Sequence, residues 1–236
     1  MEVPLGWQPI QKPAEMAESR LLEAILTGVF PINSNLPGER DLADQLGVTR
    51  PTLREALQRL ARDGWVEIRQ GKPTRVRDYW REGSLGVLSG LARSPAHQDP
   101  DFVSNLLEVR MLLAPAYTEQ ALRQSSRDVM DLLANLTGLE DAPTAFARSD
   151  WELHSLLTQL APNPVYRLLL NSFQQLYLLM GERYFAFEEC RQHSRGYYLA
   201  LQDCIHRKSV CDAEALTRRI MQESLALWQK LQKEDE

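Results

Sequence analysis

The order of helix and turn signals early in the chain constrains the fold more than any other feature. Residues Glu39–Leu46 have the period of a short helix, and Gly47 after them is a helix stop signal. Thr49 is a favoured N-cap residue, so a second helix is expected to begin at Pro51 and to end at Asp63-Gly64. Two short helices joined by a tight glycine turn predict a helix-turn-helix.

A hairpin signal follows the second helix directly. Residues 65–69 alternate like a strand, and residues 74–77 form a second strand after the turn Gln70-Gly71-Lys72-Pro73. Another helix, Pro13–Leu26, precedes the pair and carries apolar residues at helical spacing. Three helices followed by a hairpin predict a winged helix-turn-helix over residues 1–78.

The rest of the chain has the pattern of a helical domain. After a linker at residues 79–84, residues 85–236 are helical by period and divide into six or seven segments of about 12–22 residues. The residues expected to separate these segments are Pro95, Pro100, Pro115, Pro143 and Pro164. The predicted fold class is mainly α, with an N-terminal winged helix-turn-helix followed by an all-α helical-bundle ligand-binding domain.

Composition and cysteine content exclude several classes of protein. Of the 236 residues, 44% are hydrophobic and 25% are charged, which is typical of a folded globular chain. No stretch reaches the roughly 18 apolar residues that a membrane helix needs, and the first residues lack the pattern of a secretory signal. Three cysteines, an odd number without a CxxC pair, favour a reducing cytoplasm over a disulfide framework or a zinc finger.

The net charge of −5 conceals a division of charge along the chain. Residues 49–77 hold eight basic and three acidic side chains, a local charge of +5. Residues 81–236 hold 16 basic and 21 acidic side chains, a charge of −5. A short basic block attached to an acidic domain suggests a region that binds a polyanion, although a solvated helix face has the same charge count.

The beginning of the second helix of the pair carries the side chains that suit DNA. Its first turns offer two hydroxyls and two guanidinium groups, from Thr49, Thr52, Arg50 and Arg54. Arginine can bind guanine through two hydrogen bonds, whereas hydroxyls and a helix N-terminus suit phosphate. The wing tip, Arg69-Gln70-Gly71-Lys72, adds two cations close to Gly71. We therefore predict DNA binding, and a winged helix used only for protein contact is the alternative.

Several runs of residues resemble the GntR family of bacterial regulators. The family signature is carried by Leu36–Ala43, Gly47–Leu57 and Leu60–Gly64. Within that family the chain resembles the FadR-type regulators of fatty acid metabolism, on the segments Val48–Trp65, Gly71–Thr74, Gly181–Phe185, Glu223-Ser224 and Trp228. The resemblance covers nearly the whole chain and is densest in residues 36–80.

The resemblance implies a set of DNA contacts in the winged helix-turn-helix. Arg40, Arg50 and Arg54 would contact bases or phosphates of a palindromic operator in double-stranded DNA. Thr49 and Thr52 would bind phosphate. The residues of the wing would contact the minor groove and the DNA backbone; they are Gln70, Gly71 and Lys72.

Three positions depart from the pattern of the relatives. Pro51 stands where a threonine is expected and cannot donate a side-chain hydrogen bond. Gln70 stands where a histidine is expected and can still contact a minor-groove edge. Met221 stands where a glycine is expected, so a bulkier side chain faces the implied ligand.

Polar residues interrupt apolar helix faces in the second domain. Arg110 lies on one stripe with Val103, Leu107 and Ala114, so it is expected to point inward, either in a salt bridge or towards an anionic ligand. Glu223 and Ser224 interrupt the apolar stripe of the last helix. A single helix is expected to align an aromatic row, Tyr166, Leu170, Phe173, Tyr177, Met180 and Tyr184. These features favour a partly apolar cavity, with ordinary core packing as the alternative.

The resemblance implies that this cavity binds long-chain acyl-CoA, which weakens operator binding. The ligand-binding residues that it implies are Arg110, Tyr184, Glu223, Ser224, Trp228 and Lys233.

Asp150 and His154 lie one helical turn apart, a spacing that suits a metal ion. In relatives with a metal site two histidines complete the set, but the corresponding positions here are Tyr198 and Ser224. No metal or cofactor is therefore predicted, with Asp150 and His154 as weak candidates, and His154 is expected to form a hydrogen bond inside the bundle. A regulator that senses a small carboxylate through a metal remains the alternative function.

No motif for catalysis is present in the sequence. It lacks a GxSxG motif, a P-loop and a GxGxxG motif after a strand, so an enzyme is not expected. The resulting hypothesis is a cytoplasmic, homodimeric transcription factor that long-chain acyl-CoA releases from DNA. The resemblance further implies that it represses fatty acid degradation genes and activates some synthesis genes. The lack of an apolar span predicts that it has no membrane partner.

Overall fold

The computed structural model describes residues 12–94 and 101–235 and confirms the predicted fold class. The chain divides into two compact units, residues 1–98 and 99–236. Two of the prolines expected to separate helices, Pro95 and Pro100, lie outside the described residues. None of the helices in the described ranges is long and apolar enough to cross a membrane.

Three helices and a small hairpin form the core of the first unit. They are α1 (Pro13–Leu26), α2 (Glu39–Leu46), α3 (Arg50–Asp63), β1 (Val66–Glu67) and β2 (Arg75–Val76). Helix α1 packs on α3, with Ala17, Leu21 and Leu53 almost completely buried. The apolar spacing that predicted these helices is therefore the spacing of their buried faces.

Helix α3 begins one residue earlier than expected, at Arg50. The Oγ1 atom of Thr49 accepts a hydrogen bond from the backbone N–H of Thr52 at 3.3 Å and caps the helix. Pro51 falls in the first turn, where its missing N–H removes no helical hydrogen bond. In the turn before α3, Gly47 adopts a left-handed conformation (φ 68°) that closes α2.

The hairpin strands are shorter than expected, with two residues each, and they pair Val66 with Val76 in antiparallel register. The segment 33–36 lies beside β2, because the N–H of Val76 donates to Ser34 O and that of Leu36 donates to Thr74 O. Residues of this loop thus satisfy the backbone groups on the edge of β2 that faces away from β1.

The segment predicted as a linker, residues 79–84, contains the short helix α4 (Tyr79–Glu82) and is followed by α5 (Gly86–Arg93). Tyr79 is buried, with its ring centroid 4.8 Å from that of Trp65. Because this segment packs on the winged helix, the compact units divide at residues 98 and 99, beyond the position where the sequence placed the linker.

The second unit is a bundle of helices. They are α6 (Phe102–Asn135), α7 (Pro143–Leu160), α8 (Pro164–Ser172), α9 (Gln174–Tyr184), α10 (Glu188–His206) and α11 (Val210–Asp235), with a 3-10 turn at Leu136–Gly138. Helix α6 packs against α7, α10 and α11, and α7 packs against α8 and α9. The lengths of these helices, from 9 to 34 residues, extend beyond the expected range at both ends.

Pro115 does not end a helix, contrary to expectation. It lies buried inside α6, which continues to Asn135. The helical backbone is interrupted ten residues later, at Ser125 (φ −152°, ψ 85°). The Oγ atom of Ser125 accepts from the N–H of Asp128 at 3.4 Å, so this serine caps the second segment of α6.

A close approach of α5 to Trp65 makes Gly90 sensitive to substitution. A Cβ atom at Gly90 would lie 2.5 Å from Cζ2 of the buried Trp65 ring. We expect Gly90→Ala to lower the free energy of unfolding by about 1–3 kcal/mol, because the rigid ring has to move. Urea unfolding measures the change.

Gly196→Ala in α10 is the matched control, because a Cβ there meets nothing within 4 Å. This variant should gain about 0.5–1 kcal/mol from helix propensity. Stabilisation in both variants would contradict the proposed contact between α5 and Trp65.

Candidate DNA interface and ligand cavity

The start of α3 presents the predicted DNA-contacting residues at the surface. Arg40 and Arg50 are exposed, and within the described residues neither side chain has a hydrogen bond or an ion pair. The two threonine hydroxyls, on Thr49 and Thr52, lie 2.8 Å apart and form a hydrogen bond with each other. Two uncommitted guanidinium groups near a helix N-terminus form a surface that suits a polyanion.

Arg54 differs from these two arginines because it has an acidic partner. Its Nε donates to Oε2 of Glu39, the first residue of α2, at 2.8 Å. Arg59, further along α3, is bonded to Glu55 and Glu18 and is only partly exposed. The charge count of the basic block therefore overstates the number of arginines that are free to contact DNA.

In the wing, too, some cations are bonded within the fold and others are not. The guanidinium of Arg69 donates to Asn35 Oδ1 at 2.8 Å, and Arg75 binds Glu67 and Glu82. The predicted contacts Gln70, Gly71 and Lys72 are all exposed at the tip, and Gly71 has a positive φ of 68°. Arg69 and Arg75 thus hold the wing in place, while Lys72 has a side chain with no bonded partner among the described residues.

The second unit contains a cavity bounded by α6, α7, α8 and α9. Its enclosed free volume is about 90 Å³, smaller than the roughly 300–1,000 Å³ typical of small-molecule sites. All six residues of the predicted aromatic row line it, although they belong to two helices, α8 and α9, with Phe173 between them. The aromatic row is therefore the wall of a cavity.

The mouth of the cavity lies between α6 and α8. Of the lining residues from these helices, Val109 is exposed and Leu169 is partly exposed, whereas Met180 and Phe185 are buried. Helix α8 has no buried residue, although three of its residues, Tyr166, Leu169 and Leu170, line the cavity. The other three walls, α6, α7 and α9, each contain buried residues.

A buried ion pair forms the polar end of the cavity. The guanidinium of Arg110 binds both carboxylate oxygens of Asp150, with Nη1 2.8 Å from Oδ2 and Nη2 3.1 Å from Oδ1. The hydroxyls of Tyr177 and Tyr198 also donate to this carboxylate, at 2.6 and 3.1 Å. Burial is the largest single effect and opposes ionisation of Asp150, but the charge of Arg110, the nearby His154 and the donated hydrogen bonds together outweigh it and lower the pKa of the carboxyl group.

His154 belongs to the same network. Its Nε2 lies 2.5 Å from Nη2 of Arg110, and because a guanidinium only donates, Nε2 accepts and Nδ1–H donates to the hydroxyl of Tyr117 at 2.6 Å. Burial and then the charge of Arg110 lower the pKa of His154 to about 3. The imidazole is therefore neutral, and the predicted hydrogen bond of His154 inside the bundle is confirmed.

The two weak metal candidates are both bonded to Arg110. The guanidinium binds Asp150 and His154 at once, so a cation already lies between the two side chains. Within the described ranges, no group of three or more His, Cys, Asp and Glu side chains could hold a metal ion.

The six predicted ligand residues divide between the cavity and α11. Arg110 and Tyr184 line the cavity. The ring of Trp228 lies 6.0 Å from that of Tyr184, and Ser224 is buried beside it with its hydroxyl donating to Ile220 O at 2.8 Å. Among the described residues, the buried atoms Tyr184 Oη and Trp228 Nε1 have no hydrogen-bond partner.

Glu223 and Lys233 are exposed, so Glu223 does not interrupt the buried stripe of α11 as expected. Of Glu223 and Ser224, only Ser224 lies on the buried face of α11. Oε2 of Glu223 lies 3.9 Å from His193 Nε2, at the surface of the bundle. Met221, which replaces the expected glycine, is buried.

Sequence reasoning missed the tyrosines that bind the polar pair. Tyr117 lies on α6, and no spacing connects it to the pair. Tyr198 on α10 was placed near Asp150 and His154 only by the resemblance, as the replacement of a metal-binding histidine and not as a hydrogen-bond donor. The signal that was available was the need of a buried arginine for partners, which indicates that a network exists without naming its members.

Comparison with known proteins identifies the family. The profile of the bacterial regulatory proteins of the gntR family matches residues 13–76, and that of the FadR C-terminal domain matches residues 77–235. This chain belongs to the GntR family and carries a FadR-type C-terminal domain.

Two relatives of this GntR-family chain are named fatty acid metabolism regulator proteins. The one from Shewanella amazonensis is 39% identical over 93% of this chain and 91% of its own length. The one from Pasteurella multocida is 37% identical over 94% of this chain and 92% of its own length. These relatives are regulators and not enzymes, and the chain is a DNA-binding transcription regulator of fatty acid metabolism.

A solved structure of Lar, described as controlling the Listeria monocytogenes agr system, supports the fold. It aligns with a TM-score of 0.65 and 19% identity, over 95% of this chain and 100% of that chain. At that identity, the likeness extends to the fold alone.

Arg50 has no partner within the described residues, so its replacement tests DNA recognition without disturbing the fold. We expect Arg50→Ala to weaken binding to a selected DNA site by about 1–3 kcal/mol and to relax base preference at one position, if the guanidinium contacts a base. Fluorescence anisotropy at fixed salt measures both quantities.

Arg62→Ala removes the same charge from the opposite end of α3, where Arg62 pairs with Asp63. It should change affinity less and leave base preference unaltered. Equal losses for Arg50→Ala on selected and random DNA would assign Arg50 to phosphate only.

The buried imidazole predicts a pH dependence of stability. The unfolded chain binds a proton at His154 near its ordinary pKa of 6.5, whereas the folded chain does so only near 3. The free energy of unfolding should therefore fall by about 1.5 kcal/mol from this group between pH 6.5 and pH 5. Asp150 adds a loss of the same sign only below its ordinary pKa of 3.8.

Urea unfolding at several pH values measures this slope. His154→Gln, which keeps one acceptor and one donor, should flatten it between pH 6.5 and pH 5, whereas the exposed His206→Gln serves as the control. An unchanged slope in His154→Gln would contradict the neutral, buried imidazole.

Proposed function

We propose that the chain is a homodimeric transcription factor that a long-chain acyl-CoA releases from a palindromic operator. The observation that carries the proposal is the apolar cavity of the second unit, which ends at a charge-compensated pair, Arg110 and Asp150. We infer further that it acts in the cytoplasm, represses fatty acid degradation genes and activates some synthesis genes, as implied by its likeness to the fatty acid metabolism regulators.

DNA binding would use the start of α3 and the wing of each protomer. One winged helix covers one half-site, so a palindrome requires a protein with two-fold symmetry. The proposed contacts are Arg40, Thr49, Arg50, Thr52, Arg54, Gln70, Gly71 and Lys72. Exposure of both uncommitted arginines, Arg40 and Arg50, supports this assignment.

The polar end of the cavity favours a neutral ligand group over a carboxylate. The guanidinium of Arg110 already satisfies both oxygens of Asp150, and two tyrosine hydroxyls complete that carboxylate. A fatty acid anion would have to displace Asp150 or lie unpaired in an apolar site, which is unfavourable. A thioester carries no charge, so an acyl-CoA avoids this penalty.

The acyl chain would occupy the cavity once a movement of α8 has enlarged it, and the remainder of the ligand would extend past Tyr184 towards α11. Two buried donors lie beside that path, Tyr184 Oη and Trp228 Nε1, and neither has a partner in the part of the chain that the structure describes. Ser224 is buried next to them, and Glu223 and Lys233 lie at the surface further along α11. In this arrangement the buried residues contact the thioester region and the exposed ones contact the polar CoA portion.

Release requires that the ligand binds the DNA-incompetent state more tightly than the competent one. A hundredfold loss of DNA affinity corresponds to roughly 2.7 kcal/mol of coupling free energy. Helix α8, which has no buried residue, is the wall of the cavity that a ligand displaces most easily.

Fluorescence anisotropy on a palindromic operator of a fatty acid metabolism regulator tests the proposal. Oleoyl-CoA should release the duplex, whereas oleate and free CoA, each at the same concentration, should not. Equal release by oleate would contradict the argument from the paired arginine, and binding without release would refute the acyl-CoA effector.

Two substitutions on α8 test the location of the ligand. Leu170 lines the cavity, whereas Leu168 on the same helix points to solvent and is 65% exposed. Leu170→Trp fills the cavity and should raise the oleoyl-CoA concentration for half-release at least about tenfold, with operator affinity unchanged. Leu168→Trp should behave like the wild type.

Equal behaviour of the two tryptophan variants would place the ligand elsewhere. These variants are preferable to Arg110→Ala, because that change leaves the carboxylate of Asp150 buried without its cation and reports on folding as well as on ligand binding.

A further inference from the structure

An acidic side chain lies within the surface that carries the DNA-contacting cations. Glu39 is the first residue of α2, directly before the exposed Arg40. Its Oε2 lies 2.8 Å from Nε of Arg54, and the two side chains are 38% and 66% exposed. Negative charge on a polyanion-binding surface opposes binding, so this carboxylate requires an explanation.

We propose that Glu39 is a positioning residue that orients Arg54 for DNA recognition. A guanidinium has five N–H donors in a rigid plane. The hydrogen bond to Glu39 uses only the Nε–H of Arg54. No other group among the described residues binds the Arg54 side chain. The terminal pair Nη1 and Nη2 therefore stays available, and two parallel N–H groups are the donors that bind a guanine edge or a phosphate.

The bond between Glu39 and Arg54 connects two helices, α2 and α3. Glu39 lies at the N-terminus of α2, and Arg54 lies one turn into α3, so the contact spans the two helices of the helix-turn-helix. Both helices are anchored by buried residues, Leu42 on α2 and Leu53 on α3. The guanidinium is therefore ordered before DNA arrives, and less side-chain freedom is lost on binding.

A purely stabilising role accounts poorly for this pair. Ion pairs between exposed side chains contribute little to folding. Arg59 offers a comparison on the same helix, because its partners Glu55 and Glu18 hold a less exposed guanidinium against α1. Glu39 instead holds an arginine that is two-thirds exposed, on the side of the helix that the resemblance assigns to DNA.

The test compares Glu39→Ala with Glu39→Gln on two duplexes. One duplex is the tightest site that the wild-type protein selects from a random pool, and the other has the same composition in scrambled order. Both variants remove one negative charge, but glutamine keeps an acceptor for Nε. Anisotropy at fixed salt gives the ratio of the two affinities, and urea unfolding verifies that each variant folds.

We expect Glu39→Ala to lower affinity for the selected site about fivefold without lowering affinity for the scrambled duplex, and Glu39→Gln to retain most of the ratio. Glu55→Ala removes an equal charge from α3 without touching Arg54 and should leave the ratio unchanged. In an Arg54→Gln background, Glu39→Ala should have no further effect on the ratio.

Three results would overturn the proposal. Equal changes for Glu39→Ala and Glu39→Gln would assign Glu39 a role through its charge alone. Tighter binding of the selected site by Glu39→Ala would show that Glu39 competes with DNA for Arg54. A full effect of Glu39→Ala in the Arg54→Gln background would show that it acts through another residue.

Discussion

The buried ion pair between Arg110 and Asp150 is the interaction on which the second unit depends. Two charges in an apolar interior are tolerated only when each is paired and its remaining hydrogen bonds are satisfied. Arg110 on α6 and Asp150 on α7 meet this condition together with three tyrosines and His154, so four helices converge on one polar cluster. Beside this cluster, aromatic and aliphatic side chains from α8 and α9 surround a space that they do not fill, and this space is the cavity.

In the first unit, pairing likewise distinguishes arginines that stabilise the fold from arginines that are free to contact DNA. Arg59, Arg69 and Arg75 are bonded to acidic or amide side chains and hold α1, the wing and α4 in place. Arg40 and Arg50 have no such partner within the described residues and face solvent. A cation that the fold does not use keeps its full electrostatic attraction for a phosphate backbone, so the division of the basic block between the two roles decides where DNA is contacted.

Much of the fold followed from local signals in the sequence. The apolar period of α1, the glycine at the end of α2 and the capping threonine before α3 each act within one or two turns, and these elements begin and end within a residue of expectation. Pro115 and Ser125 show the limit of such signals. Packing in the bundle keeps a proline inside α6, and a serine with no strong sequence signal interrupts the helix instead.

The sequence by itself determined the family, the two types of domain and the presence of an inward-pointing arginine, because motifs and periodicity are local properties of the chain. Only the tertiary structure decided that Arg110 is neutralised by Asp150, that Tyr117 and Tyr198 complete the cluster, and that Glu223 faces solvent. Likewise, only the fold brings Glu39 to Arg54. These pairs join helices that lie apart in the chain, so their geometry depends on how the helices pack and leaves no spacing in the sequence to read.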